Sequence, residues 1–260
     1  MNSRITTRHG VLAAAMLVAA SVFAQGLYTE SSTSGGPLGD KARLAKSFMM
    51  PKMYRHEGDD GQAVIIRLDK EKFYMVNPAE KTYSEMTFKE MEEGMKKAGE
   101  KMDKRMTEMQ EKMKDMPEEQ RKMIEKMMGS TGAGKGKAEK VDVTGPGEKK
   151  TISGYVCARY TAAANGKDIL TAWTTKDVKG FESLKGDWEE FSTRMVALSP
   201  VGGKGIAEAF KKIKGFPLQT EMMGMTTVVT KIESRSTPAA QFEIPEGYTK
   251  TDSPLKKMAE

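Results

Sequence analysis

Short alternating runs of apolar and polar residues occupy the first part of the chain, between residues 52 and 86. These runs are KMYRHEG, QAVIIRLD, KFYMVN and KTYSEM. The residues between them, DDG, DKE and NPAEK, form turns readily, so the pattern predicts four antiparallel strands joined by tight connections. Val64, Ile66 and Leu68 then share one face of their strand, and Tyr74 and Val76 share a face of the next strand.

A second block of predicted strands begins at Val141. Asn165-Gly166 marks a hairpin turn within it, and FPLQTEMM and MTTVVTKIES form a later strand pair joined at Gly224. Residues 186–214 interrupt this block with two helical patterns, DWEEFSTRMVAL and GIAEAFKKIK. Because neither block alone is large enough to bury a substantial core, we expect both blocks to belong to one sheet.

A methionine-rich helical pattern separates the two blocks. Thr87 and Glu90 fit a capping box at its start, and Pro117 predicts a break followed by a second helix that ends at Gly129. Apolar residues repeat every seven positions along one face and predict a seam about 40 Å long. The seam contains Phe88, Met95, Met102, Met106, Met109, Met113, Met116, Met123 and Met127.

Three interpretations of this seam remain open. It packs as ordinary core, against the sheet, the second helix or a second copy of the chain in a homodimer. Alternatively, it lines a groove for a lipid or an apolar protein segment, since methionine adapts to different shapes. In the third interpretation its thioethers bind copper(I) or silver, which soft ligands select. Met49, Met50, Met53 and His56 have spacing that suits such a metal as well.

The N-terminal residues predict a secretion signal, and segments near both ends of the chain predict little regular structure. Residues 1–24 combine Arg4 and Arg8 with a short apolar run, which is typical of a cleaved signal peptide and too short for a membrane anchor. We therefore expect a periplasmic or secreted protein with no lipid anchor and no transmembrane anchor in the mature chain. Residues 25–47 are rich in serine, glycine and threonine and predict a flexible lead-in. Residues 130–138 predict a Gly/Lys linker, and residues 251–260 a polar tail.

The composition argues against several kinds of chemistry. Cys157 is the one cysteine, so the chain cannot form an internal disulfide, and His56 is the one histidine left after the signal peptide. His56 itself lies in YRHEGDDG, which resembles a turn between strands, and is expected to be solvated. Loss of Arg4 and Arg8 lowers the formal net charge from +6 to +4, with lysine and glutamate interleaved, so nucleic acid is not an expected partner. We expect no cofactor, no resident metal and no enzymatic activity.

Several segments carry a family resemblance. They are VIIRLDKEKFYMVNPAEKTYSEM, ISGYVCARY with the later AWTTKD, GFPLQTEM and FEIPEGYTK. In these segments the chain resembles a family of secreted bacterial proteins known as domain of unknown function 4412, with a layout similar to that of periplasmic lipoprotein carriers. The resemblance implies a single domain over residues 48–250, interrupted by the methionine-rich insert at residues 87–129.

The resulting prediction is an α+β protein with an open antiparallel β half-barrel, packed helices and an inserted pair of methionine-rich amphipathic helices. The carrier-like layout implies a cavity for an acyl chain or another hydrophobic ligand. Soft-metal binding and a structural or oligomerising role remain the alternatives. The candidate ligand contacts are Val64, Ile66, Leu68, Tyr74, Val76, Met95, Met102, Met106, Met109, Met113 and Trp173.

Overall fold

The protein is built on one large open sheet. The computed structural model describes residues 26–114, 117, 141–197 and 203–253. Within these residues the sheet has 13 strands. The predicted α+β class is therefore confirmed. Within the same residues, none of the helices combines the length and apolar character needed to cross a bilayer.

The first half of the sheet is an antiparallel meander. Its strands are β1 (Gly26–Gly35), β2 (Arg43–Met50), β3 (Met53–Gly58), β4 (Ala63–Arg67), β5 (Lys72–Asn77) and β6 (Thr82–Thr87). The four alternating runs of the sequence are strands β3 to β6, as predicted. Turn residues account for their spacing, because Lys52, Glu71 and Lys81 all have positive φ and reverse the chain between consecutive strands.

The second half of the sheet contains six further strands. They are β7 (Val141–Thr144), β8 (Lys149–Ile152), β9 (Tyr155–Ala164), β10 (Lys167–Thr175), β11 (Phe216–Met222) and β12 (Met225–Arg235). The last strand, β13 (Thr249–Lys250), pairs in parallel with β6 at the outer edge of the first half. The spatial order of the strands is β13-β6-β5-β4-β3-β2-β1-β12-β11-β10-β9-β7, with β8 also paired to β9. Asn165 and Gly166 form the β9–β10 turn with positive φ, as the sequence predicts. Strand β12 pairs with β1 along its whole length, so the two halves form one sheet, which confirms the expectation.

Three helices lie in the described residues. They are α1 (Phe88–Lys114), α2 (Lys185–Ala197) and α3 (Gly203–Lys212). The capping box at the start of α1 is present, because the backbone N–H of Glu90 donates to Thr87 Oγ1 and the Glu90 carboxylate accepts from the N–H of Thr87. The predicted second methionine helix and the 130–138 linker lie outside the described residues.

The predicted flexible lead-in is wrong for most of its length. Residues Gly26–Gly35 form β1, which lies in the middle of the sheet between β2 and β12, and Arg43 begins β2. Leu27 is fully buried. The serines and threonines that suggested a linker are accommodated because their backbone groups are paired on both sides, and Thr33 Oγ1 lies 2.9 Å from Thr227 Oγ1 on β12.

The two faces of the first half of the sheet are covered by different segments. Residues directly opposite each other in an antiparallel pair point to the same face. Tyr54, Ile66 and Phe73 are opposite one another across β3, β4 and β5, and they share clusters with α1 and α2. Ile65 and Tyr74 are opposite each other on the other face. That face packs on the C-terminal segment, where Phe242 is fully buried.

Candidate functional site

Helix α2 lies on the face of the sheet that carries Tyr54, and two clefts open beside it. Its first turn holds Asp187 and its last turn holds Arg194, an order of charges that favours a helix because of the backbone dipole. The N–H of Trp188 donates to the carbonyl of Leu184 at 2.9 Å and fixes the first turn. The helix therefore presents Trp188 and Phe191 at defined positions.

Aromatic rings join α2 to the sheet. Tyr54 of β3 stacks on Phe191, with ring centroids 4.9 Å apart and planes at 29°. Trp188 contacts Tyr54 at 6.2 Å, Phe191 at 5.5 Å and Phe216 of β11 at 6.0 Å between centroids. Trp188 thus lies between the two halves of the sheet. Aromatic pairs of this kind contribute about 1 kcal/mol each beyond the area they bury.

The first cleft lies between α2 and strands β2 to β4. Its cavity volume is about 20 Å³, roughly the space that one water molecule needs, so the cleft is narrow. Its lining is apolar apart from Asp187. The lining residues are Met49, Met50, Met53, Tyr54, Ile66, Leu68, Leu184, Asp187, Trp188 and Phe191.

The second cleft lies between α2, α3 and strands β10 and β11. Its cavity volume is about 50 Å³, and Trp188 lines it as well as the first cleft. Its floor is apolar and its rim carries hydroxyls and charges. The lining residues are Ala172, Phe181, Lys185, Trp188, Glu189, Ser192, Thr193, Phe210, Lys211, Ile213, Gly215, Pro217 and Thr220.

Two polar contacts hold α2 against turns of the first half of the sheet. The backbone N–H of Lys52, in the β2–β3 turn, donates to the Asp187 carboxylate at 2.8 Å. At the other end, Arg194 donates to both carboxylate oxygens of Glu71, at 2.5 and 3.2 Å, and its guanidinium lies 4.8 Å from the Phe88 ring centroid. The position of α2 over the first cleft is therefore fixed at both ends.

A chain of polar groups lies beneath this region. The Tyr54 hydroxyl donates to Ser47 Oγ at 3.2 Å, and Ser47 Oγ lies 3.0 Å from His56 Nδ1. Burial raises the pKa of Tyr54 and lowers the pKa of His56. His56 is inside β3 and not in a solvated turn as expected, because the turn begins after Gly58.

This serine–histidine contact lacks what acyl transfer requires. Ser47 lies in β2, which is paired with β1 on one side and with β3 on the other. Its neighbouring backbone N–H groups are therefore engaged in the sheet and are not free to stabilise an oxyanion. The side chain is also buried among the strands. We interpret the chain of polar groups as a satisfied internal network.

The sheet residues expected to bind a ligand are divided among three places. Ile66 and Leu68 line the first cleft, and Val64 packs at the edge of the same cluster. Tyr74 and Val76 lie on the opposite face, packed with Phe242 and the rest of the C-terminal segment. The alternation is correct within each strand, but the β4–β5 pairing places these two residues opposite Ile65 and Ala63, so they line neither cleft.

Trp173 also lines neither cleft. It is buried in a cluster with Cys157 and Leu218, and Lys150 Nζ lies 4.0 Å from its ring centroid. The Lys150 ammonium also donates to the side chain of Gln219 at 2.9 Å. The Trp173 ring is therefore covered by the Lys150 ammonium group and is part of the hydrophobic core.

The methionines of α1 have different environments along the helix. Met95 packs at the edge of the cluster that contains Ile66, and Met113 is buried. Met109 is exposed. The side chains of Met102 and Met106 lie outside the described residues. Met95, Met109 and Met113 are not among the residues that line the two clefts.

Three other methionines are among the lining residues of the first cleft. They are Met49 and Met50 at the end of β2 and Met53 at the start of β3. Met49 packs in the cluster with Trp173, whereas Met50 and Met53 pack in the cluster with Phe242 on the opposite face of the sheet. His56, which was grouped with them from the sequence, is not among the lining residues. In the part of the chain that the structure describes, no three histidine, cysteine or acidic side chains cluster as metal ligands would.

The residues that best define the clefts were not identified from the sequence. Trp188 and Phe191 were assigned to a helical pattern without a role, and Phe181 and Phe210 were not considered. The available signal was the spacing of Trp188 and Phe191, three residues apart on a helix whose other residues are mostly polar. Such a pair marks the face of a helix that contacts a sheet.

The family expected from the sequence is confirmed. Residues 89–248 match the family described as a domain of unknown function, DUF4412, and because the match spans more than half of the chain, the chain belongs to this family. None of the curated proteins compared with the chain matches it.

Two solved structures of PNGF-II, in space groups C2 and P21, are similar to the chain at 12% and 10% sequence identity. Their TM-scores are 0.39 and 0.40. Each similarity covers 91% of this chain and 33% of the PNGF-II chain, so the chain spans about a third of the length of these solved proteins.

Proposed function

We propose that the protein binds an alkyl or acyl chain in the two clefts beside α2, without catalysing a reaction. The observation that carries the proposal is the position of Trp188, which lines both clefts and makes them neighbours under one helix. Apolar floors, aromatic walls and a few polar groups at the rim are the usual composition of small-molecule sites.

The methionines of the first cleft favour a chain over a rigid ligand. Met49, Met50 and Met53 have flexible thioether side chains that adjust to a flexible partner. With cavity volumes of about 20 and 50 Å³, the clefts are too narrow for a folded protein segment, and a narrow chain enters them as the flexible side chains of their lining move aside. A bound peptide is thus an alternative outcome of the experiment and not part of the proposal.

The architecture proposed around these clefts is an open half-barrel of carrier type. Its support is the strand order, in which consecutive antiparallel strands place Tyr54, Ile66 and Phe73 on the face that packs with α1 and α2. The methionine-rich helix pair, the signal peptide at residues 1–24 and a periplasmic or secreted location belong to the same proposal. They rest on the sequence pattern alone.

The test compares binding of a neutral ligand to the unaltered protein and to a variant whose second cleft is filled by a larger side chain. The purified, solvent-extracted protein is titrated with N-phenylnaphthylamine, a neutral fluorescent probe, and the probe is then displaced by a fatty alcohol. Ser192→Phe places a ring in the second cleft and should abolish displaceable binding. Ser183→Phe is the control, because Ser183 is exposed and lines neither cleft.

If both variants bind the probe as the unaltered protein does, the second cleft is not the site. Native mass spectrometry of the protein before extraction gives an independent result. An excess mass that solvent extraction removes supports a bound chain. An excess mass that is released under denaturing conditions and has the fragmentation pattern of a peptide overturns the proposal.

A second candidate function is binding of copper(I) or silver at the first cleft. It is favoured by the presence of Met49, Met50 and Met53 among the lining residues of this cleft, since thioethers are soft ligands. Silver titration followed by native mass spectrometry should then give one bound ion. The triple change of these residues to leucine, which keeps the apolar volume, should remove that ion while leaving binding of the neutral probe intact.

A further inference from the structure

Charges are distributed unequally between the two clefts. The first cleft has one charged lining residue, Asp187, and its carboxylate accepts a hydrogen bond from the backbone of Lys52. The second cleft is lined by two lysines, Lys185 and Lys211, and by one glutamate, Glu189. Among the residues that the structure describes, every cation that lines the two clefts is therefore in the second one. A ligand with a negative end would lie with that end in the second cleft.

The two lysines are held only by exposed partners. Lys185 pairs with Glu182 at 3.6 Å and Lys211 pairs with Glu208 at 2.7 Å, three residues away in each case. The side chains of Glu182 and Glu208 are 87% and 64% exposed. Ion pairs this exposed contribute little to stability, because water and salt screen them. Both ammonium groups can therefore turn toward an anion inside the cleft at small cost.

The acidic neighbours limit how much negative charge the cleft accepts. Glu189 lies on the same rim, so the lining carries one positive charge in excess. A phosphate or a headgroup with several charges would meet repulsion from Glu189, Glu182 and Glu208. A single carboxylate fits this balance. The hydroxyls of Ser192, Thr193 and Thr220 line the same cleft and can donate hydrogen bonds to it.

We propose that the ligand is a long-chain fatty acid whose carboxylate lies at Lys185 and Lys211 in the second cleft. Its chain runs past Trp188 into the first cleft. This inference rests on the proposed function, because it gives the class and the direction of the chain bound there. The carboxylate gains charge-assisted hydrogen bonds from the lysines, and the tail is buried against aromatic rings.

The test compares three ligands of equal chain length: a fatty acid, the fatty alcohol and the alkyl trimethylammonium ion. Each displaces N-phenylnaphthylamine from the full mature chain at neutral pH. The fatty acid should bind about tenfold more tightly than the alcohol, which corresponds to about 1.4 kcal/mol, and the cation more weakly than both. Added salt should weaken binding of the fatty acid and leave binding of the fatty alcohol unchanged.

Matched variants locate the headgroup. The double variant Lys185→Gln with Lys211→Gln should lose the preference for the acid and keep the same affinity for the alcohol. Lys179→Gln with Lys212→Gln is the control, because these exposed lysines line neither cleft and the change in net charge is the same. The control should keep the preference.

Three results would overturn the inference. If the unaltered protein binds the acid and the alcohol with equal affinity, the site does not recognise an anionic end. This result contradicts the inference but not the proposed function. An equal loss of acid binding in both double variants means that net charge, and not this site, attracts the acid. No displacement by any of the three ligands defeats the proposed function and the inference together.

Discussion

Ser47 Oγ and His56 Nδ1 lie 3.0 Å apart and share a hydrogen bond across strands β2 and β3. The serine also accepts a hydrogen bond from Tyr54, whose ring forms part of the first cleft. The imidazole is thus tied to the cleft through one hydroxyl. It is surrounded by sheet, and burial lowers its pKa from the usual 6.5.

The lowered pKa of His56 predicts a loss of stability in mildly acidic solution. Between the pKa of the folded protein and 6.5, the unfolded chain binds more protons than the folded one, so stability rises with pH through this window and is complete above it. Urea unfolding at pH 7.5 and pH 5.5 should show a larger decrease for the unaltered protein than for His56→Gln. Equal decreases would contradict the account.

The pH range in which His56 changes the stability is separate from the pH range in which the carboxylates do. The hydrogen bond from Arg67 holds the pKa of Asp69 below its usual 3.8. The stability that Asp69 contributes is therefore lost only as the pH falls below that value. The comparison at pH 5.5 thus reports the histidine.

Arg67 joins the sheet to the C-terminal segment and predicts a second measurable effect. Its side chain is 8% exposed and donates to both oxygens of Asp69, at 2.8 and 2.6 Å, and to the carboxylate of Glu243. Arg67→Met should lower the free energy of unfolding by about 2 kcal/mol, because these charge-assisted bonds are lost while both carboxylates can be rehydrated.

Arg159 provides the control for this change. Its side chain is 42% exposed and it pairs with Glu148, which is 72% exposed. Arg159→Met should change the free energy of unfolding by less than about 0.5 kcal/mol. A similar cost for both substitutions in urea titrations would show that the connection between Arg67 and Glu243 contributes nothing specific.

The methionines of α1 predict unequal costs of substitution along one helix. Met91 is 5% exposed and packs in the cluster with Ile66 and Phe88, whereas Met109 is 47% exposed. Met91→Gln should destabilise the protein by about 2 kcal/mol because it buries an amide without a partner. Met109→Gln should cost less than about 0.5 kcal/mol. Thermal unfolding monitored by circular dichroism measures both, and equal costs would contradict this assignment.

The local features of the fold were predictable from the sequence. The turns after β3, β4 and β5 and the capping box of Thr87 and Glu90 depend on residues within a few positions of one another. Strand β1 was not predictable in this way. Its partner β12 is separated from it by almost the whole chain, and its serines, threonines and glycines resemble a linker in composition.

The candidate site shows the same limit. Alternation identifies which residues of one strand share a face, but it does not say which of the two faces of the sheet that is. Val64 and Tyr74 were therefore grouped, although the β4–β5 register places Tyr74 opposite Ile65 and on the other face. Trp188 lies on a helix whose place over the sheet depends on distant contacts with Lys52 and Glu71.

The two tryptophans of the chain allow a direct test of the clefts. Trp188 lines both clefts, whereas Trp173 lines neither and is covered by Lys150. Trp173→Phe leaves Trp188 as the reporter, and Trp188→Phe leaves Trp173. The measurement is the tryptophan emission of both variants during titration with a fatty acid. The account predicts a saturable shift of emission in Trp173→Phe and none in Trp188→Phe. A shift in Trp188→Phe alone, or none in either variant, would contradict binding beside α2.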